Sequence, residues 1–330
     1  MMMFLKIEKI WYENSVFSLI LLPLSWMYAA IIGCRRLAYI IGVLPVQRVQ
    51  VPVIVVGNIT VGGTGKTPLI IWLTEYFKSK GLKPGIISRG YGGNANRRPQ
   101  QVRIDSNPQL VGDEPVLIAQ RTSQPVAVAR NRYRAAVELL EHTDCDILLC
   151  DDGLQHLSLY RDIEIAVIDG DRRFGNGRCL PAGPLRESIG QLGNVDMLVG
   201  NAKAQKNEFL MEYVSEGFVS AHKESEKLEL THFRGKEVHA VAGVGNPQRF
   251  FSYLRSLGIK IIKHEFADHY YYQAEDLQFG DNLPIIMTEK DAVKCRSLSL
   301  PDCWFLKINV KMSQTFEHRL NILLKDIYDG

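Results

Sequence analysis

The feature that most constrains the fold is a strand, a glycine-rich loop and a helix that follow one another early in the chain. Residues 51–56, Val-Pro-Val-Ile-Val-Val, are typical of a buried strand. The loop Gly62-Gly-Thr-Gly-Lys-Thr67 follows, and apolar residues then recur at helical spacing as far as Phe77. This order predicts a phosphate-binding loop, because glycines let backbone N–H groups surround phosphate oxygens at the start of a helix.

The residue types of this loop suit ATP and Mg²⁺. Lys66 would bridge the β and γ phosphates, and the Thr67 hydroxyl would bind Mg²⁺. The remaining predicted nucleotide-binding residues are Thr60, Val61, Gly62, Gly63, Thr64 and Gly65. Thr60 stands where such loops usually have their first glycine. A structural turn is the alternative explanation of the same glycines.

Two adjacent acids form the second candidate site. Asp151 and Asp152 follow the apolar run 146–150. The carboxyl ends of strands in a parallel sheet lie beside the phosphate-binding loop, so these acids can hold Mg²⁺ directly or through water. An Asp-Asp pair after a strand is also common in turns and helix caps, but the phosphate-binding loop favours the metal role.

The rest of the chain predicts an α/β fold with a P-loop NTPase-like parallel sheet. Further predicted strands lie at residues 86–88, 163–168 and 197–199. Residues 201–235 are polar and predict a bridging segment. The strand pattern then restarts at residues 238–242, 259–262, 284–287 and 304–308, which predicts a second, smaller α/β domain. We expect three regions: an N-terminal helical segment at 1–40, a P-loop domain at 41–225, and a domain at 226–330 that closes over the site.

Three other segments carry candidate chemistry. Arg89-Gly-Tyr-Gly-Gly93 is either an anion-binding loop or a flexible one. The glycine- and proline-rich residues 172–187 predict a long, shaped loop, where function tends to collect. Residues 264–272 gather histidine, aspartate and tyrosine, which suits acid–base chemistry as well as an ordinary surface loop.

The N-terminus predicts an association with membrane. Residues 14–34 contain no charged side chain, and Lys6, Lys9, Arg35 and Arg36 flank them. A helix lying in the membrane surface is the favoured interpretation, because Pro23 and several polar residues dilute the hydrophobicity. A helix that spans the membrane, a signal peptide and a buried core helix are the alternatives.

Composition excludes several classes of protein. Apolar residues make up 46% of the chain and charged residues 23%, which is typical of a globular protein. A net charge of +3, without a basic block, predicts no nucleic-acid partner. The six cysteines include no C-x-x-C pair, so we expect reduced thiols in the cytosol.

Taken in order, the motifs resemble one family, the tetraacyldisaccharide 4′-kinases of lipid A biosynthesis. The matching stretches span nearly the whole chain: residues 56–68, 88–93, 111–115, 151–156, 173–177, 180–187, 266–269 and 287–291. Two positions depart from the family pattern, since members often have histidine where Tyr270 stands and proline where Ala267 stands.

This resemblance implies an enzyme on the cytoplasmic face of the Gram-negative inner membrane. It would transfer the γ-phosphate of ATP to the 4′-hydroxyl of a lipid-linked disaccharide 1-phosphate, giving lipid IVA, with the membrane lipid surface as its other partner and no obligate protein partner. The resemblance implies that Asp113 and His269 lie at the phosphoryl acceptor and that they act in catalysis together with Lys66. Arg132 and Arg186 would help to hold the negative charge of the phosphates. The acids near metal and nucleotide would be Asp151, Asp152 and Glu187. The residues alone leave two alternatives, a membrane-associated ATPase switch and a soluble P-loop ligase.

Overall fold

The strand–helix alternation builds one continuous sheet. The computed structural model describes residues 10–13, 15–91, 98–223, 225–298, 300 and 302–328. Lys6, Lys9, Gly92 and Gly93, which entered the sequence analysis, lie outside the described residues.

Thirteen strands of the described chain belong to this sheet. They are β1 (Val53–Gly57), β2 (Pro84–Ser88), β3 (Gln100–Val102), β4 (Val126–Val128), β5 (Ile147–Asp151), β6 (Ile163–Asp169), β7 (Met197–Asn201), β8 (Phe209–Ser220), β9 (Lys227–Leu228), β10 (Glu237–Ala242), β11 (Lys260–Glu265), β12 (Ile285–Thr288) and β13 (Cys303–Met312). Their order is β11-β10-β12-β13-β8-β7-β6-β1-β5-β2-β4-β3, with β9 beside β8. Neighbours are parallel except in the pairs β3/β4, β8/β13 and β8/β9.

Helices pack on the two faces of the sheet. They are α1 (Val16–Ile20), α2 (Leu22–Ile40), α3 (Lys66–Ser79), α4 (Pro108–Val111), α5 (Asp113–Thr122), α6 (Arg132–His142), α7 (Pro247–Ser256), α8 (Glu289–Cys295) and α9 (Gln314–Tyr328). The central strands β1, β2 and β5 are buried along their whole length. This burial explains why they read as continuous apolar runs in the sequence.

The predicted α/β class and mainly parallel sheet are confirmed, but the prediction for residues 201–235 was wrong. This segment is not a polar bridge: it contains β8, which runs for 12 residues. Along its first half, buried or half-buried side chains such as Met211 and Tyr213 alternate with exposed ones such as Glu212. A strand with one exposed face is polar in composition, and the alternation, not the composition, reveals it.

The strands β8 and β13 join the two halves of the sheet. They pair antiparallel from Trp304 with Ser220 to Met312 with Met211. The C-terminal helix α9 then packs beside α3, where the Tyr76 hydroxyl donates to Asn321 at 2.8 Å. The last helix of the chain therefore shares a core with the helix that follows the phosphate-binding loop.

The N-terminal helices turn polar side chains toward the protein. Ser18 and Ser25 are both buried, and the Ser25 hydroxyl donates to the Cys179 carbonyl at 2.7 Å. Large apolar side chains on the opposite side are exposed, among them Phe17, Trp26 and Ile31. Of the helices that the structure describes, none combines the length and the apolar character needed to cross a membrane.

Candidate active site

The phosphate-binding loop leaves β1 and enters α3 at Lys66. Gly65, directly before this helix, has a φ of 96°, a left-handed conformation that favours glycine. A Cβ atom there would lie 2.6 Å from the amide nitrogen of Asn201 and 2.8 Å from the hydroxyl of Tyr213. Glycine is therefore required here both for the backbone conformation and for space.

Lys66 and Asp152 meet at the end of this loop. The Lys66 ammonium lies 3.4 Å from Asp152 Oδ1 and donates to Asn58 Oδ1, also at 3.4 Å. Arg186 donates to both carboxylate oxygens of Asp152 at 2.9 Å. Burial acts to raise the pKa of Asp152, but Lys66 and Arg186 lower it below its usual range. Asp152 is therefore a carboxylate held between two cations.

Asp151 has a different environment. It ends β5, is buried, and accepts a hydrogen bond from the Ser88 hydroxyl at 3.2 Å. Burial, followed by the charge of Glu114, raises the pKa of Asp151 to about 7. Lys66 and Arg132 act in the opposite direction without outweighing burial, so a further, bound cation would favour the carboxylate form.

Three buried polar atoms of the described chain have no hydrogen-bond partner, and all three belong to this site. They are Thr64 Oγ1, Arg132 Nε and Asp151 Oδ1. Unpaired buried polar atoms are costly in a folded protein. Their concentration beside the phosphate-binding loop indicates a place where a ligand completes the hydrogen bonding.

Arg132 and the first residues of the loop are held by neighbouring segments. The Arg132 guanidinium donates to the carbonyl oxygens of Asp151 and Asp152, at 3.4 and 3.2 Å. Thr60 pairs with Leu185 in an isolated antiparallel bridge, and the amide of Val61 donates to the Pro184 carbonyl at 2.8 Å. The proline-rich loop predicted at 172–187 therefore supports the start of the phosphate-binding loop.

Glu187, the third acid of the predicted metal set, faces a different partner. Its carboxylate lies 3.6 Å from Arg36 on α2. Within the ranges that the structure describes, no group of three or more acidic, histidine or cysteine side chains is arranged to hold a metal ion. Mg²⁺ commonly takes only one or two protein carboxylates and completes its shell with phosphate oxygens and water. Asp151 and Asp152 beside Lys66 fit that description, with Thr67 on the first turn of α3.

Asp113 and His269 are in direct contact although 156 residues separate them. The Nδ1 atom of His269 lies 3.1 and 3.0 Å from the two carboxylate oxygens of Asp113. Asp113 begins α5, and His269 lies on the loop after β11 with a φ of 60°. A non-glycine residue in this left-handed region is uncommon, and such residues concentrate at functional sites.

The two groups shift each other's pKa values in opposite directions. Burial acts to raise the pKa of Asp113, but the charge of Lys290 and the hydrogen bond from His269 lower it to about 2. Burial acts to lower the pKa of His269, but the hydrogen bond to Asp113 and its charge raise it above the usual value. Of the two, the imidazole is therefore the stronger base.

Sequence reasoning assigned no role to two residues that complete this region. Lys290 lies 3.1 Å from Glu114 and 3.8 Å from Asp113. The aromatic ring of Tyr91 lies beside the His269 ring, with centroids 5.2 Å apart. The only signals for them were the stretches 287–291 and 88–93, whose chemistry cannot be read without knowing their neighbours.

A single cleft of about 1370 Å³ joins these groups. Its lining includes residues 61–67 of the phosphate-binding loop, together with Arg132, Asp152, Arg186 and His269. Thr60, Asp113, Asp151 and Glu187 are buried and do not contribute to the lining. The phosphate-binding loop and the Asp113–His269 pair therefore serve one cavity, whose size suits a nucleotide and an acceptor group together.

Comparison with known proteins identifies the family. The family model for tetraacyldisaccharide-1-P 4′-kinase, LpxK, matches residues 17–325. The chain belongs to this family. The tetraacyldisaccharide 4′-kinase of Nitrosococcus oceani is 48% identical over 319 residues, which are 97% of this chain and 94% of the relative. That of Hahella chejuensis is 42% identical over 327 residues, 97% of each chain.

A solved member of the family has the same fold. The crystal structure of LpxK from Aquifex aeolicus, in complex with ATP, matches with a TM-score of 0.80 and 28% sequence identity. The match covers 94% of this chain and 99% of that one. The P-loop kinase fold predicted from the sequence is therefore confirmed by a member of the LpxK family.

Proposed function

We propose that this chain transfers the γ-phosphate of ATP to the 4′-hydroxyl of a tetraacyldisaccharide 1-phosphate. The observation that carries the proposal is the single cleft, which is lined both by the phosphate-binding loop and by His269, whose imidazole contacts the buried Asp113. The first group suits a nucleotide and the second a hydroxyl acceptor. Full-length relatives that are tetraacyldisaccharide 4′-kinases supply the identity of that acceptor.

The nucleotide side of the cleft is built to neutralise charge. Phosphoryl transfer depends mainly on alignment and on stabilising the charge of the transferred group. Lys66 would contact the β and γ phosphates, and residues 60–65 would surround them with backbone N–H groups. Arg132 and Arg186 would add positive charge beside the same phosphates. ATP binding would also provide partners for the unpaired atoms of Thr64 and Arg132.

Mg²⁺ is the second component that we propose for this site. Thr67, Asp151 and Asp152 would hold it, and it would neutralise phosphate charge. Asp151 Oδ1, which is buried and has no partner among the described residues, supports this assignment. Glu187 remains a candidate from the family resemblance, although its carboxylate faces Arg36.

The Asp113–His269 pair would activate the acceptor. A sugar hydroxyl needs a group that takes its proton as the phosphate bond forms. His269 is the more basic of the two, so we assign it as the proton acceptor. Asp113 would orient the imidazole and stabilise its charged form. This requires a neutral His269 before the reaction, so activity should fall as the pH drops through its pKa.

The N-terminal helices would place the enzyme on a membrane surface. Their exposed side carries Phe17, Trp26 and Ile31, while Arg35 and Arg36 lie near the end of α2. An apolar face with flanking basic residues suits the interface of an anionic bilayer. A lipid-linked acceptor could then reach the cleft, since Tyr28 and Ile32 of α2 form part of its lining. The cytoplasmic face of the inner membrane would supply both ATP and the lipid.

The direct test offers ATP labelled at the γ-phosphate together with three acceptors. These are tetraacyldisaccharide 1-phosphate, an acylated monosaccharide phosphate and a disaccharide phosphate without acyl chains. Label should enter the first at the 4′ position and should enter the others poorly or not at all. The Lys66→Ala variant is the control for label transferred by contaminants. ATP hydrolysis without transfer to any acceptor would contradict the proposal and favour an ATPase switch.

A further inference from the structure

Lys290 lies where two distant parts of the chain meet, beside the Asp113–His269 pair. Its ammonium nitrogen is 3.1 Å from Glu114 Oε1, 3.4 Å from Asp268 Oδ1 and 3.8 Å from Asp113 Oδ2. The side chain is 17% exposed, so little water screens these contacts. One cation therefore faces three carboxylates at the acceptor end of the cleft.

The three carboxylates belong to two separate parts of the chain. Asp113 and Glu114 form the first turn of α5, in the region predicted as the P-loop domain. Asp268 precedes His269 on the loop after β11, in the region predicted as the second domain. Lys290 thus links the helix that carries Asp113 to the loop that carries His269.

Without the Lys290 cation, the three carboxylates around it would repel one another. Three carboxylates close together disfavour one another's charged forms. Burial acts to lower the pKa of Lys290, but Glu114, Asp113 and Asp268 raise it well above its usual value. The Lys290 side chain therefore remains charged at neutral pH.

The neighbouring residue offers a natural comparison. Glu289 also joins α8 to α5, because Arg121 Nη1 donates to its two carboxylate oxygens at 2.8 and 2.7 Å. Arg121 lies at the far end of α5 from Asp113, in the last turn of the helix. Two adjacent residues of α8 thus make ion pairs with the same helix, and only Lys290 reaches the Asp113–His269 pair.

We propose that Lys290 is a positioning residue for phosphoryl transfer, which holds Asp113 and the His269 loop in one arrangement and keeps a fixed positive charge beside them. This inference rests on the proposed function, because it concerns the groups that would activate the acceptor. Lys290 acts through Asp113 and His269 and is not itself assigned a contact with substrate.

The charge of Lys290 shifts the pKa of His269 in a known direction. It acts to lower the pKa of Asp113 and also that of His269. Its removal should therefore raise the pKa of His269, so that the imidazole becomes protonated, and inactive as a base, at a higher pH. Other charged or titratable groups of the described chain that face this region include Tyr91, Glu114, Asp268, Tyr271 and Lys294.

The test compares Lys290→Met, Lys290→Arg and Glu289→Gln in the full-length protein. For each, kcat/KM for the lipid acceptor is measured from pH 5 to 9 at saturating ATP. In Lys290→Met we expect the acidic limb of the pH profile of kcat/KM to move to higher pH by about one unit or more. We also expect kcat to fall roughly tenfold or more. The KM for ATP should change by less than about threefold. Lys290→Arg should restore the position of the limb, and Glu289→Gln should leave it unchanged.

Three outcomes would overturn the inference. The first is a Lys290→Met enzyme with wild-type kinetics. The second is a Lys290→Met enzyme whose rate is lower but whose acidic limb does not move, together with the same loss of rate in Glu289→Gln. This result would mean that Lys290 contributes only to packing. The third is an equal shift of the limb in Lys290→Arg. Absence of transfer by the wild-type protein would instead reject the proposed function, so the two failures are distinguishable.

Discussion

Asp151 and Asp152 are neighbours in the chain, and their surroundings shift their pKa values in opposite directions. Burial and the charge of Glu114 raise that of Asp151, whereas Lys66 and Arg186 outweigh burial and lower that of Asp152. Lys66 and Arg132 also act to lower the pKa of Asp151, but they do not outweigh its burial. A bound Mg²⁺ would favour the charged form of Asp151, which supports the metal role that we propose for it, while Asp152 is held between Lys66 and Arg186.

The residues of the phosphate-binding loop should be essential for phosphoryl transfer and dispensable for folding. Lys66→Ala removes the cation that would contact the β and γ phosphates, and Thr67→Ala removes a hydroxyl ligand of Mg²⁺. Each should lower kcat roughly a hundredfold or more, as expected for the loss of a group that stabilises transition-state charge. Circular dichroism spectra should match those of the wild type. Normal turnover by Lys66→Ala would rule out the phosphate-binding role of this loop.

The Asp113–His269 pair should behave as one unit. Asp113→Ala and His269→Ala should each lower kcat strongly while changing ATP affinity little, because His269 lines the cleft away from the phosphate-binding loop and Asp113 acts through it. The double variant should be little slower than the slower single variant, since residues that act together are not additive. Turnover numbers and ATP dissociation constants of the four proteins give the comparison. If the two losses multiplied in full, Asp113 and His269 would act independently.

The sequence predicted some of these residues and could not predict others. Lys66, Asp151 and Asp152 lie in local patterns whose chemistry is legible from a few adjacent residues. The contact of Asp113 with His269 came only from the family resemblance. Lys290 was missed because its partner Glu114 is 176 positions away, and no local pattern brings the two together. Its role depends on the packing of α8 against α5, which only the fold supplies.

At the scale of elements, the N-terminal helices bury polar side chains and expose apolar ones, the reverse of an ordinary helix on a protein surface. Their hydroxyl groups face the protein, where the Tyr28 hydroxyl donates to the Arg186 carbonyl at 3.1 Å and the Ser25 hydroxyl donates to that of Cys179. Their apolar side chains face outward. The polar residues that dilute hydrophobicity in the sequence are thus the contacts that fasten α2 to the loop supporting the phosphate-binding loop.

The two faces of these helices should have separable effects. Phe17→Ser, Trp26→Ser and Ile31→Ser combined should weaken partitioning to anionic phospholipid vesicles roughly tenfold or more, because apolar burial drives interfacial binding. Turnover on acceptor dispersed in detergent should be kept. Tyr28→Phe is the matched control, since it removes a contact with the loop and leaves the exposed face intact. Removal of about the first 35 residues should abolish both properties.

Vesicle sedimentation and kinetics with the detergent-dispersed acceptor distinguish the two faces. Undiminished sedimentation of the triple serine variant would mean that the membrane-binding surface lies elsewhere on the molecule. Loss of turnover in that variant without loss of binding would mean that its side chains serve the cleft instead.

Strands were predictable where both of their faces are buried. The runs at 51–56 and, after Asp146, 147–150 are apolar, and both proved to belong to central strands. By contrast, β8 was missed because Glu212 and Glu216 point to solvent between partly buried neighbours. The strands β3, at the edge of the sheet, and β4, beside it, have only three residues each and gave no periodic signal. Whether a strand can be predicted from sequence thus depends on its length as well as on its burial.

At the scale of the whole molecule, the division predicted at residue 225 crosses a continuous sheet. Strand β8 precedes that boundary, yet it pairs with β13 and contributes Phe218 to a core shared with α7 and β10. Val219 and Ala221 complete a second core against β12 and β13. Two regions can close on a cleft while sharing a sheet, and we expect the structural unit at the C-terminal side to include β8.

The cores shared with β8 predict how fragments of the chain should fold. A fragment of residues 226–313 lacks β8, so β13 has an open edge and two cores lose Phe218 and Val219, whereas residues 205–313 retain them. Burying one large apolar side chain stabilises a fold by about 1.5–3 kcal/mol, a large share of the roughly 5–15 kcal/mol available to a domain. We expect cooperative thermal unfolding and dispersed amide resonances for 205–313, and neither for 226–313. If the shorter fragment folded alone, β8 would be only a connection between independent domains.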